Sequence, residues 1–468
     1  MQGPIHQIIV FPTQQSPVIR AGPNKLVFNT TTALQDIYDN DRVTKSHVYL
    51  LTLQANGVDS IFNAVDRDRH HSKRKLIAKV VSDRSVRLFE PTMAAQIQIF
   101  LRQLLASSQG PKPNPINITK RCKRLGLDII GLLAFGFPLN TQTDPTYRFI
   151  IQGIAFGNYR SNLFLQFPAL KNRMLDPVPH ALTRKGCQSY LKALERMIST
   201  RLALDKDSKA DFYSFIAEYI ETGGPDSIRL SELWSEAVFF FPSGGDTTTT
   251  GLSALFFYLS RSPDAYRKLA EEVRSAFANA DEIKGGPQLT GCHYLRACVD
   301  ESVRLSPPVT GTLWCELANG EEDKGPLVLD GHIIPPGTQF GVNICSLHHN
   351  EAYFPEPFAF KPERWLIEDG ASAVHRMLAG FDAFSTGPRG CAGKSMAYLE
   401  AGPVVANTLW CFDFETAPGL MGAAGAGMPG NSAGREREGE YQLYDDFTSS
   451  HDGPNLIFHA RGNYWKDH

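Results

Sequence analysis

A single cysteine, Cys391, lies in the stretch FSTGPRGCAGKSMAYLE, residues 384–400, between Gly390 and Gly393 and just ahead of a helical pattern. A helix N-terminus presents unpaired N–H groups and a partial positive charge to what precedes it, which favours a thiolate. Gly387, Gly390 and Gly393 permit special backbone angles and let a flat ligand approach closely. Backbone N–H groups of such a loop can hydrogen-bond the sulfur and tune it. Arg389, two residues earlier, is placed to meet an anionic group. A cysteine thiolate on haem iron donates the electron density that favours O–O cleavage. The set suits a haem carrying carboxylates; a buried structural cysteine beside a flexible turn is the other reading.

A second constellation is Ser243-Gly-Gly-Asp246-Thr247-Thr248, inside a long helical pattern. Two glycines there cost roughly 1 kcal/mol each relative to alanine. Small residues leave room against a flat cofactor, and a threonine hydroxyl can open the helix ladder. An acid and a hydroxyl in such a groove can deliver protons. The alternative is a kinked packing helix. Glu301 and Arg304 follow at i, i+3, on one helix face, and Pro362-Glu363-Arg364-Trp365 comes about sixty residues later. Upstream, His70-His-Ser-Lys-Arg74-Lys75 belongs to a basic stretch from Arg67 to Lys79. Lys73, Lys75 and Lys79 read as a solvated basic face usable for docking.

Phe384, Gly387, Arg389, Cys391 and Gly393 fill every fixed position of F-x-x-G-x-R-x-C-x-G. This resembles the haem-binding signature of the cytochrome P-450 family. Glu301–Arg304 is similar to its E-x-x-R, residues 362–365 to its P-E-R-W, and residues 243–248 to its A/G-G-x-D/E-T-T/S, with Ser243 a mild departure. The resemblance runs from about Pro17 to Arg461. The phrases PERWL, HHN and GPNLIFHAR look most like fungal members that tailor secondary metabolites.

The resemblance implies a haem b monooxygenase with Cys391 as axial iron ligand. It implies propionate contacts from Arg74 and Arg389, with Phe384, Gly387 and Gly393 shaping the cofactor loop. Asp246 and Thr247 would deliver protons, and Glu301, Arg304 and Arg364 would be structural supports. Electrons would come from an NADPH-dependent reductase, and an apolar small molecule would be hydroxylated or epoxidised. Phe239, Phe240, Val309 and Thr310 are the substrate-facing candidates. The rivals are a reductase-independent haem-thiolate isomerase or dehydratase, and a non-catalytic haem-binding protein. Two departures bear on haem retention. His70 stands where the family's W-x-x-x-R has tryptophan, and Cys315 stands where an arginine commonly meets a propionate. Together they imply a missing contact and looser haem binding; the other reading is that the local alignment slips by one and another cation serves.

These residues need a frame to hold them. The 468 residues carry 47 Lys and Arg against 49 Asp and Glu, so bulk charge points to neither nucleic acid nor an acidic partner. The pattern predicts a mainly α chain with a smaller β portion, and the resemblance implies a single domain over 1–468 in the P-450 fold. Strands flank a turn within residues 17–29, and a short helix runs from Thr30 to Asn40. One helical pattern extends from Asp68 to about Leu105, then others cover 116–136, 182–205 and 211–222. Gly126, Gly131 and Gly136 are spaced for close packing. Residues 140–180 read as irregular and aromatic. A long helix starts at Ser231 as N-cap and reaches about Ser260, followed by helices 263–277 and 292–305. Asp330-Gly331 makes a hairpin turn, residues 395–410 are helical, and 417–439 form a surface loop. YQLYDD and PNLIFHA are expected as closing strands.

The eight cysteines form no C-x-x-C pair and predict free thiols in a reducing compartment. No window approaches the roughly 18 apolar residues of a membrane span, and residues 1–20 resemble neither anchor nor signal peptide. The chain is expected to lack the family's usual N-terminal anchor. Placement at the cytosolic face of the endoplasmic reticulum, inside the cell, is what the resemblance implies, with peripheral membrane contact.

Overall fold

A computed structural model describes residues 16–462 apart from 54–56, 110–112, 172–176, 221, 224–226, 367–371 and 432–433. The architecture is mainly helical with a smaller β portion. The expectation for the N-terminal stretch falls largely on residues 1–15, outside the described residues. Among the described residues no helix is long and apolar enough to cross a membrane, and no disulfide joins the eight cysteines.

Val18–Gly22 and Lys25–Phe28 form the expected hairpin. They open a five-stranded sheet that continues through Gln339–Val342, Cys315–Leu317 and Val43–Lys45. Thr30 caps the Thr31–Tyr38 helix, accepting from the Ala33 N–H, and this helix packs beneath the sheet on Phe28, Phe340 and Val342. Leu327–Leu329 and His332–Ile334 pair around Asp330 and Gly331, at φ 48° and 77°. Those two positive angles are what a two-residue hairpin requires. A third sheet joins Ile116–Asn117, Asn455–Ala460 and Phe412–Thr416. PNLIFHA thus closes a sheet as expected, whereas YQLYDD makes only isolated bridges at Tyr441 and Tyr444.

The main core is built by helices Asp83–Ser108, Ile118–Phe135, Leu230–Gly245, Thr247–Arg261, His293–Leu305 and Lys394–Cys411. The pattern predicted over 68–105 is two helices, Arg67–Val80 and Asp83–Ser108, separated where Ser82 caps the second. Residues 140–180 are not irregular throughout, because Phe149–Gln166 is a helix. It has no side-chain cap and carries Gly153 and Gly157, so local propensity hides it. Packing makes it: a Cβ at Gly153 would lie 2.7 Å from Tyr190 Cβ of the Pro177–Leu202 helix. The 211–222 prediction shrinks to helix Phe212–Ile216 and a 3-10 turn, Ala217–Tyr219.

The long helix begins one residue before Ser231, with Arg229 as N-cap donating its backbone N–H to Glu232 Oε2 at 3.0 Å. It breaks at Asp246 and resumes at Thr247. Pro242 has no N–H for the Val238 carbonyl, which accepts the Tyr190 hydroxyl at 3.0 Å instead. The break therefore rests on a proline as well as on the glycines and threonine.

One buried carboxylate organises the other side of the molecule. Glu301 Oε2 accepts from Arg304 Nε at 2.8 Å and from Trp365 Nε1 at 3.0 Å. Its Oε1 accepts from Arg304 Nη2, Arg364 Nε and the Lys361 N–H at 2.9, 3.0 and 3.0 Å. Arg304 Nη1 reaches on to the His348 and Pro357 carbonyls at 2.7 and 2.8 Å. Glu301 and Arg304 side chains are wholly excluded from solvent. Despite burial, the arginines hold the Glu301 carboxyl below its ordinary value. Removing one partner from such a buried pair costs about 3–5 kcal/mol. Glu301→Ala is therefore expected to lose a stability increment of that size in a chemical denaturation curve, with Arg304→Ala losing a similar amount.

Candidate active site

Phe384 to Gly393 runs from the end of the supported segment to the first turn of the Lys394–Cys411 helix. His348 Nε2 accepts the Asp382 N–H at 2.9 Å while its Nδ1 meets the Arg304 carbonyl at 3.1 Å. The ring is therefore neutral with its proton on Nδ1, and burial holds its pKa far below the ordinary value. Two residues on, the Phe384 carbonyl accepts the Cys391 N–H at 2.7 Å. Gly387 has φ 69°, and a Cβ there would collide with the Tyr38 carbonyl. Only glycine lets this loop close against the Thr31–Tyr38 helix.

Cys391 opens onto a cavity of about 850 Å³, within the size range of small-molecule and cofactor sites. Its thiol is not poised low, as the helix-terminus argument expected. Burial pushes it up, only partly offset by the Gly393 N–H, Arg74 and Lys394. A bound metal ion deprotonates a coordinating thiol outright. Phe384, Arg389, Gly393 and Arg74 line the same cavity. Arg389 Nη1 donates to the Ala64 carbonyl at 2.7 Å, and its Nη2 to the Val65 carbonyl and Thr44 Oγ1 at 2.9 and 3.2 Å. Arg74 Nη1 donates to the Gly390 carbonyl at 2.5 Å. His70 also lines the cavity, its pKa pushed down to about 3 by burial and then by Arg389, Lys45 and Arg74.

The opposite wall is the broken helix. Gly244, Thr247, Thr248 and Gly251 line it, and Thr247 Oγ1 donates to the Ser243 carbonyl at 2.7 Å. On the far side, a Cβ at Gly126 would sit 2.7 Å from the Gly245 carbonyl, so the Ile118–Phe135 helix presses against the break. Phe239 stacks on Phe62 at 5.0 Å, and Phe447 meets Phe62 edge-on at 4.9 Å. This apolar roof also includes Val309.

Several expected positions fall elsewhere. Asp246 is not on the cavity wall. Its Oδ2 accepts from Thr448 Oγ1 at 2.7 Å and Asn158 Nδ2 at 3.2 Å, and Lys123 Nζ lies 3.6 Å from Oδ1. Thr310 also lies outside the lining: its carbonyl accepts the Cys345 N–H at 3.4 Å and its hydroxyl faces Ser449. Gly387 shapes the loop and does not border the cavity. Phe240 borders it but packs edge-on with Phe212 at 6.0 Å. Glu301, Arg304 and Arg364 form one ion-paired cluster, none of them on the cavity wall. Lys73 is no solvated charge, being buried with its Nζ 3.0 Å from Glu236 Oε1. Lys79 lies 3.7 Å over the Tyr219 ring, and Lys75 is exposed. Missed altogether were Asn158, Thr448, Lys123 and Lys45, which stand in no motif.

The Cytochrome P450 family profile matches residues 25–422. The chain belongs to the cytochrome P450 family. It is 32% identical over 463 residues to cytochrome P450 monooxygenase apf7 of Gibberella fujikuroi, covering 95% of this chain and 86% of that protein. It is 33% identical over 451 residues to cytochrome P450 monooxygenase poxM of Penicillium oxalicum, covering 94% and 82%. A cytochrome P450 monooxygenase of Gibberella zeae is 32% identical over 433 residues, covering 91% and 97%.

The site fits the haem that the family implies. The Cys391 sulfur opens onto the cavity, a Cβ at Gly393 would meet open space there, and Arg74 and Arg389 line it without a carboxylate in ion-pairing distance among the described residues. Gly387→Val should break the loop, since it adds a collision and a disfavoured φ. The purified variant is expected to hold well under half the wild-type haem per polypeptide, read by absorbance against protein concentration.

Proposed function

We propose that this P450 is a monooxygenase that places one oxygen atom of dioxygen into a C–H bond or alkene of an apolar small molecule, the other leaving as water. The observation that carries the proposal is Cys391, held by its loop at a cavity whose opposite wall is a helix broken at Asp246–Thr247. The sequence similarity to fungal cytochrome P450 monooxygenases supports it. Haem, when bound, supplies the redox chemistry that activates dioxygen.

The chain's own residues divide the remaining work. Cys391 would ligate the haem iron through its sulfur, and Arg74 and Arg389 would hold the cofactor's carboxylates through charge-assisted hydrogen bonds. Thr247 presents its hydroxyl on the cavity wall, where it hands a proton inward. Asp246 stands one residue behind, outside the wall. Lys123, Asn158 and Thr448 fix its carboxylate there; its part in proton delivery to Thr247 requires the carboxylate first to take up a proton on that outer side. Phe239, Phe447 and Val309 exclude water above the site, which keeps that proton on its path. Phe240 adds shape, and the mainly apolar lining suits an apolar substrate.

Electrons come from an NADPH-dependent reductase, and the chain works at the cytosolic face of the endoplasmic reticulum; both readings rest on the family. A tailoring step in fungal secondary metabolism fits the PERWL and HHN phrases and the fungal relatives.

Cys391→Ala should abolish the thiolate-type band of the ferrous–carbon monoxide spectrum; a variant that kept it would overturn the ligand assignment. Thr247→Ala should keep haem but release more peroxide per NADPH consumed. General acid–base groups contribute about 10² to 10⁴ in rate, so product per NADPH should fall steeply. Unchanged coupling would reduce the Asp246–Thr247 pair to a packing kink.

A further inference from the structure

The sheet places an unexpected cation at the cavity. Val43–Lys45 pairs antiparallel with Cys315–Leu317, and in that register Lys45 stands directly opposite Cys315. Both residues line the cavity, alongside Arg389 and Arg74. The Lys45 ammonium donates to the Phe62 carbonyl at 2.5 Å and lies 4.7 and 4.9 Å from the Tyr49 and Phe62 rings. Among the described residues no carboxylate is within ion-pairing distance of it. Its surface opens onto the cavity, but the group is otherwise enclosed by protein. Thr44, its neighbour in the strand, accepts from Arg389, which ties the two cations to one edge of the sheet.

A cation held in such a place without a counter-ion is costly, and an anionic group on the bound ligand removes the cost. Directly opposed cross-strand residues have Cβ atoms about 4.5–5.5 Å apart, and like charges there repel. A lysine at 45 and an arginine at 315 would therefore oppose each other, whereas a lysine and an uncharged thiol do not. The Cys315 thiol is indeed pushed up to about 12, chiefly by burial. Burial, with Arg389 second, brings the Lys45 ammonium down to about 7, so a nearby anion is what would keep it charged.

We propose that Lys45 is the third cation holding the cofactor's carboxylates, taking from across the ladder the contact expected of an arginine at position 315. This rests on the haem reading above and replaces the expectation of a missing contact and looser haem. The position at 315 is not vacant; its charge has moved to the neighbouring strand.

The test uses purified holoprotein of wild type, Lys45→Met, Lys45→Arg, Cys315→Arg and the double variant Lys45→Met/Cys315→Arg. The ferrous–carbon monoxide spectrum of wild type is recorded first, because its failure would sink the haem reading itself. Haem transfer to excess apomyoglobin then measures retention. A charge-assisted hydrogen bond of the usual strength predicts roughly tenfold faster loss for Lys45→Met, with Lys45→Arg near wild type. Cys315→Arg alone should not slow haem loss, and in the Lys45→Met background it should restore retention. A normal wild-type spectrum with Lys45→Met losing haem within twofold of wild type would overturn the proposal. So would slower loss in Cys315→Arg alone. If Lys45→Met cannot be recovered with haem, the double variant decides: recovery with haem supports the relocation, and continued failure overturns it.

Discussion

The Glu301 carboxylate is buried with no water to solvate it, and it is tolerable only because five donors converge on its two oxygens. That requirement fixes the Lys361–Trp365 turn against the His293–Leu305 helix. Arg304 passes the constraint to the His348 carbonyl, His348 passes it to the Asp382 N–H, and the Phe384 carbonyl receives the Cys391 N–H. The position of one sulfur atom thus depends on a hydrogen-bond path that starts at a carboxylate remote from the cavity. Each step is polar and directional, so the path tolerates little adjustment.

The cavity is chemically lopsided, and the asymmetry orients what enters it. Arg74, Arg389 and Lys45 occupy one edge, while Phe62, Phe239, Phe447 and Val309 cover the roof. A flat molecule with acidic groups at one side has one favourable orientation here, with its acids toward the cations. The rest of the lining is mainly apolar but also carries Asn63, Asn158, Arg160 and Lys171, so shape and a few polar groups set substrate choice.

The broken helix meets a different demand. Pro242 and the Thr247 hydroxyl loosen the ladder where the wall must open, and the Ile118–Phe135 helix braces the far side through Gly126. Asp246 gains from the break the freedom to turn away from the cavity, where Lys123, Asn158 and Thr448 hold it. Three separate parts of the chain converge on this one acid, so its direction is set by packing and not by its own helix.

Features whose physics is local are legible in the order of residues alone. A cysteine between glycines at a helix start, Glu and Arg one turn apart, and an Asp-Gly turn between apolar runs are readable because their spacing encodes their geometry. They sufficed for the fold class, for the start of the helix after Cys391 and for the Glu301–Arg304 pair. Whatever depends on a neighbour distant in the chain emerges only on packing. The Phe149–Gln166 helix has weak propensity and forms against Tyr190; Lys73 carries a surface pattern yet is buried by Glu236; Thr310 faces Cys345 and Ser449. Above all, the edge carrying the cations follows from strand register. Lys45 and Cys315 are 270 positions apart in the sequence and face each other only once the sheet is assembled, so the arginine missing from one strand could not be traded in the sequence for the lysine on the next.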